Sequence, residues 1–156
     1  MQHLFTSPML KLLSKVCPIL LRRHFTAAKL EKLIEFDISS SGERVTYNFS
    51  SQEAHCNFSA TNLSPFDFVI DRIAVVVTTD GASFDCLNFM PVELKSSARV
   101  EVYAHGKSPM LPDAAAAAKK SQRARVEICA YVNSRIHPFI IRKSLPDVSN
   151  VKFYGC

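Results

Sequence analysis

Histidine, cysteine and aspartate are the residue types in this chain that could do chemistry, and their spacing is the first test of whether they do. His3, His24, His55, His105 and His137 are scattered, and none falls in a recognised serine, cysteine or acidic motif. Nucleophilic catalysis needs a nucleophile, a base and an orienting group held together by the fold. His55 and Cys56 are adjacent, which in a strand puts them on opposite faces and argues against partnership. Asp67, Asp71, Asp80 and Asp85 cluster in sequence around one expected hairpin. "DRIAVVVTTDGASFD" nevertheless lacks the D-x-D-x-D-G spacing of a calcium loop, so turn capping and solvation account for them.

Cys17, Cys56, Cys86, Cys129 and Cys156 contain no C-x-x-C, and no histidine lies near them in metal-ligand register. An odd number of thiols does not suit a disulfide scaffold, so most are expected as buried or indifferent thiols in a reducing setting. The four glycines, Gly42, Gly81, Gly106 and Gly155, are isolated, so there is no glycine-rich phosphate loop. Asn48, Asn57 and Asn62 each begin an Asn-x-Ser triplet, read as a by-product of alternating strands with the asparagines facing solvent. No catalytic residue, metal ligand or cofactor is expected, and the chain is read as a non-enzyme.

The formal charge of +5 suggests a nucleic-acid partner until it is located. Residues 1–32 hold six of the 19 basic side chains (Lys11, Lys15, Arg22, Arg23, Lys29, Lys32) and one of the 14 acidic ones, Glu31, leaving 13 of each elsewhere. The body is neutral, and no specific nucleic acid is expected.

"MLKLLSKVCPILL" is 13 residues long with two lysines and a proline, whereas a spanning helix wants about 20 predominantly apolar residues. On a helical wheel Lys11, Ser14, Lys15, Pro18 and Arg22 form one polar stripe on an apolar cylinder. Three readings follow. The segment is an interfacial helix, with Lys11, Lys15, Arg22 and Arg23 on anionic headgroups and Leu10, Leu13, Val16, Leu20 and Leu21 in the acyl boundary. Or it is a mitochondrial transit peptide with a processing site at "RRHFTAA". Or it packs on its own domain or a sister subunit. From Thr26, helical spacing continues to about Glu35.

Beyond Glu35 the period becomes two. "IEFDIS" and "RVTYNFS" read as a hairpin joined by "SSSGE", and Asp80-Gly81 marks a tight turn between later strands. "LPDAAAAAKKSQR" predicts a short, solvent-facing crossover helix with Asp113 as N-cap and Lys119, Lys120 and Arg123 toward its end. Seven or so short strands with regular turns argue for a mainly β antiparallel sandwich rather than a βαβ sheet. The expected division is a basic amphipathic segment, residues 1–33, and a sandwich domain, residues 34–156.

From Ile34 to Phe153 the order of elements resembles immunoglobulin-like sandwiches of the late-embryogenesis-abundant and small bacterial type. The resemblance rests on "FSATNLSPFDFVIDRIAVVV" and on the alanine-rich crossover before "RVEICAYVNS". It implies an antiparallel immunoglobulin-like β-sandwich with an N-terminal amphipathic helix and a crossover helix, a fold whose members mostly bind or scaffold. Cys56 and Cys129 fall on strands far apart in sequence, as the paired cysteines of antibody domains do, but there is no Trp, and the position two before Cys129 is Glu127 rather than a corner Tyr. The functional expectation is a non-enzymatic interaction or scaffold module, held at a membrane surface or in an assembly by its N-terminal helix, with a protein partner or a homo-oligomer. The alternative is an imported mitochondrial accessory subunit with residues 1–25 removed.

Overall fold

The computed structural model describes residues 10, 12, 18–38, 43–120, 123–149 and 151–155. Helices α1 (Pro18–Arg22) and α2 (Ala27–Glu31) precede strands β1 (Ile34–Asp37), β2 (Val45–Asn48), β3 (Glu53–Asn62), β4 (Phe68–Thr79), β5 (Ala82–Asn88), β6 (Val92–Leu94) and β7 (Arg99–Lys107). Helix α3 (Pro112–Lys120) then crosses to β8 (Arg123–Asn133), β9 (Phe139–Ser149) and β10 (Val151–Tyr154). The protein is mainly β, as the alternation requires.

The strands run in the order β10-β2-β3-β7-β5-β4-β8-β9, with β1 also on β3 and β6 also on β4. Two layers result. β1, β2, β3 and β7 form one, and β5, β4, β8 and β9 the other; among the described residues β5 and β7 pair across them at Leu87↔His105. Gly106 makes that close crossing of β5 over β7 possible, because a Cβ there would lie 2.5 Å from the Asp85 carbonyl oxygen. β9 and β10 are one residue apart, so one extended run pairs with β8 in one layer and β2 in the other. Strands β1/β2-β3-β7 facing β4-β8-β9 give the immunoglobulin-like sandwich order. The β10–β2 ladder is parallel; the others are antiparallel.

Inward positions of both layers meet in one core. Tyr47 of β2 lies 5.2 Å from Phe84 of β5 between ring centroids, and Phe36–Phe58 and Phe68–Phe139 make edge-to-face pairs within the two layers. Leu30 of α2 and Leu21 of α1 are buried in the same cluster.

Three local expectations are corrected. β1 and β2 do not form a hairpin: both pair with β3, β1 against Ser59 to Asn62 and β2 against Glu53 to Cys56. Period-two alternation fixes which face a residue takes, not which strand it meets, and β3 is long enough to hold two short neighbours on one edge. In α3, Pro112 takes the first helical position and the Ala115 amide bonds the Leu111 carbonyl, so Asp113 sits in the first turn rather than at the cap. Its charge still complements the helix dipole there. Nor does α3 face only solvent: Ala118 is fully buried, and the Lys119 ammonium lies 4.8 Å from the centre of the Phe49 ring.

Candidate interaction surfaces

Asn62 organises one end of the sandwich. It is fully buried rather than solvent-facing, and its amide nitrogen donates to the carbonyls of Phe66 (2.7 Å), Lys95 (3.1 Å) and Leu94 (3.2 Å) while its oxygen accepts from the Ser64 amide. This knot shapes the β3–β4 connection. Beside it Ser134 Oγ accepts from the amides of Ile136 and His137 and donates to the His137 carbonyl, closing the β8–β9 connection. Between these loops lies a groove of about 510 Å³, with Phe66, Phe68 and Ile136 as its apolar floor. Its rim charges already serve the fold in part. Asp67 accepts from the Ser96 amide, and Glu93 pairs with Lys95 at 2.9 Å, raising the lysine pKa.

The N-terminal helices dock at this same end. Arg22 Nε donates to the Ile136 carbonyl at 2.7 Å, the His137 Nε2–H donates to the Arg22 carbonyl at 3.3 Å, and Phe25 stands edge-on to Phe66 at 4.8 Å. Leu10 is half-buried against the core. Lys11, Leu13 and Lys15 lie outside the described residues, and Leu20 lies within α1. Arg22 and Arg23 are exposed, as are Leu12 (63%) and Ile19 (72%). Among the described residues no helix is long and apolar enough to cross a membrane.

The candidate chemical groups are spread apart. Asp67 and Asp71 flank the groove, whereas Asp80 follows the far end of β4 and Asp85 lies on β5 opposite Val76. Among the described residues no three His, Cys, Asp or Glu side chains are placed to hold a metal ion. His55 Nδ1 and the Tyr103 phenol share a hydrogen bond of 2.6 Å, and the Tyr103 ring stacks on both His55 and His105. Cys56 of β3 points into the core while the alternation of β8 turns Cys129 outward, so the two are not placed as a bridging pair. Cys56, Cys86 and Cys129 are free thiols. Burial pushes Cys56 up to about 12, helped by Cys86; burial also pushes Cys86 to about 12, helped by Asp85. Such thiols are inert at neutral pH.

The outer face of β5, β4, β8 and β9 is a surface that motif-reading does not find. In register across it lie Leu87, Ala74, Cys129 and Arg142, and one row further Asp85, Val76, Glu127 and Ser144. On the other side are Arg72, Tyr131 and Ile140, with the Arg72 guanidinium 4.1 Å over the Tyr131 ring. Phe89, two residues beyond Leu87, is 65% exposed. The one sequence signal for this face is the unbroken apolar run from Ile73 to Val77, where a strand with one wet face should alternate.

Comparison with protein-family models returns no match, and neither does comparison with curated proteins. Among solved structures, the ligand-binding region of serine-glutamate repeat protein A of Enterococcus faecium aligns at a TM-score of 0.40 and 10% identity, over 79% of this chain and 98% of that one. A protein from Archaeoglobus fulgidus aligns at 0.40 and 12%, over 72% and 92%. The sporulation control protein Spo0M of Bacillus subtilis aligns at 0.35 and 8%, over 76% and 48%. Likenesses this distant carry no information on ligand, partner or activity.

Proposed function

We propose that this chain is a non-enzymatic interaction or scaffold module, an immunoglobulin-like sandwich held at a membrane surface or in an assembly by its N-terminal helical segment. One observation supports it most. The segment has two faces: Leu21, Phe25 and Leu30 engage the body, while Leu12 and Ile19 stand exposed, Ile19 within about one helical turn of the exposed Arg22 and Arg23. Apolar side chains flanked by arginines suit an anionic interface. We also assign the sandwich to the late-embryogenesis-abundant type, on the Asn62 bend and the α3 crossover.

Co-sedimentation with vesicles of anionic and of zwitterionic phospholipid tests the membrane arm. Binding to the anionic vesicles only is expected, lost in the double variant Leu12→Glu/Ile19→Glu with thermal unfolding unchanged, since both side chains are exposed. Equal pelleting of the variant would remove the N-terminal face from the proposal.

A second reading is an imported accessory subunit cleaved near Phe25, suited by the exposure of Arg22 and Arg23 at the turn between α1 and α2. Mass spectrometry of the cellular protein decides it. An intact Met1 terminus excludes cleavage, and a terminus near Thr26 establishes it.

A further inference from the structure

The groove at the Asn62 end carries two charges that the fold does not use. Asp71 and Arg135 both line it, and both are exposed. Neither side chain has a hydrogen-bond or ion-pair partner among the described residues, and they do not pair with each other. The other charges there are engaged: Glu93 pairs with Lys95, and Asp67 accepts from the Ser96 amide on the β6 side of β4. Arg22, whose Nε bonds the Ile136 carbonyl, adds positive charge on the Arg135 side. A carboxylate and a guanidinium without counter-charges in one cavity call for a ligand that carries both signs.

The strand register sets the spacing of those charges. Val69 stands opposite Asn133 of β8 on one side and Glu93 of β6 on the other. Asp71 lies two residues further along β4, and Arg135 two residues past Asn133 in the opposite direction, so the charges flank this row. Asp71 owes its place to a β-bulge: Ile70 pairs with Val132 and Arg72 with Tyr131, which leaves Asp71 as the extra residue. The bulge turns two successive residues, Asp71 and Arg72, outward. Four residue steps of about 3.3 Å put the two Cα atoms up to about 13 Å apart. An extended tripeptide with free termini spans about 10 Å, whereas a single amino acid carries both charges on one carbon and cannot reach both.

Between the charges the groove offers Val69, half-buried and outward, and the exposed Asn133 amide. The first suits an apolar side chain, and the second can donate to and accept from a peptide group. The Asn62 and Ser134 hydrogen bonds hold both walls in place beforehand, so little ordering is needed on binding.

We propose that this groove binds a short peptide by its free termini, with Asp71 on the N-terminal ammonium, Arg135 on the C-terminal carboxylate and Val69 under an apolar middle residue. This goes beyond the reading of the chain as a module anchored by its N-terminus, and does not rest on it.

The test titrates the isotope-labelled full chain with the tripeptide Ala-Leu-Ala at about pH 6.5, where both termini of the peptide are charged, and follows amide shifts by NMR. Saturable shifts at Val69, Asn133 and Ser134 are expected by about 5 mM peptide, a concentration that populates even a complex of millimolar Kd. Acetylating the N-terminus should weaken binding about threefold to fivefold, and amidating the C-terminus likewise. In Asp71→Asn only the effect of acetylation should vanish, and in Arg135→Gln only that of amidation. A general loosening of the groove would not match each terminus to one residue. Both side chains are exposed and partnerless, so the spectra of the variants should otherwise match the parent's. No shifts at the highest concentration, an affinity indifferent to the termini, or terminus effects that survive both variants would each overturn the proposal. Vesicle co-sedimentation of the same protein is read separately: peptide binding without vesicle binding removes the membrane anchor alone, and the reverse removes the peptide site alone.

Discussion

Asn62 makes four contacts from one buried side chain, and three of them are donated by a single amide nitrogen that has two hydrogens. It is therefore saturated. Replacing it by Ala strands the buried Ser64 amide and takes one donor from each of three carbonyls, of which Phe66 keeps the Ser64 hydroxyl and Lys95 the Ala98 amide; a buried group left unmet costs about 1–3 kcal/mol. Asn62→Ala is expected to lower stability by about 3 kcal/mol, read as a lower urea midpoint with an unchanged m value. Asn62→Asp should be worse, since a carboxylate would face three carbonyl oxygens. An unchanged midpoint in both would mean that the loop is not held as described. The sequence marks Asn62 only as the middle of a bend and the start of an Asn-x-Ser triplet. Its burial depends on β6 and the following turn, some thirty residues on, and nothing local announces that.

At the scale of elements, Gly81 and α3 depend on each other. Gly81 has φ +92°, and a Cβ there would stand 3.0 Å from the Ala117 Cβ. Gly81→Ala thus combines left-handed strain with a push against the helix, for an expected loss of about 2 kcal/mol. Ala117→Gly in the same chain should recover part of this if the contact matters; a cycle without coupling would leave the turn strain alone as the cause. The N-terminal helices make a similar case. A chain beginning at Thr26 loses Leu21 from the core and Phe25 from Phe66, and should be about 2–5 kcal/mol less stable than the full chain, by urea unfolding. What was legible here follows from periodicity. Alternation gave the strands and their buried faces, and the alanine run gave α3. It could not give strand partners, so β1 and β2 read as a hairpin. Nor could it give the outward turn of Cys129 until the phase of β8 was known. The outer face left a trace in the run from Ile73 to Val77, but its charged border draws on β5 and β9, which only the register brings together.

At the scale of the whole molecule, the two layers close around Cys56 of β3 and Cys86 of β5, near enough for a Cys86 thiolate to disfavour ionisation of Cys56. Both hold their protons up to about pH 12 in the folded protein, against an ordinary value of 9.0. Above pH 9 the unfolded chain has released protons that the native state still binds, so stability is full below about pH 9 and falls as pH rises toward 12. Each thiol contributes a slope of about 1.4 kcal/mol per pH unit across that window. Burial also raises the Tyr47 phenol, which steepens the upper part of the same limb. The double variant Cys56→Ala/Cys86→Ala should start less stable at pH 7, because it leaves space in the core, yet lose stability more slowly between pH 9 and 11. Urea midpoints against pH for the two proteins therefore converge. Parallel curves would mean that the thiols titrate alike in both states, and that the core joining the two layers is open to water.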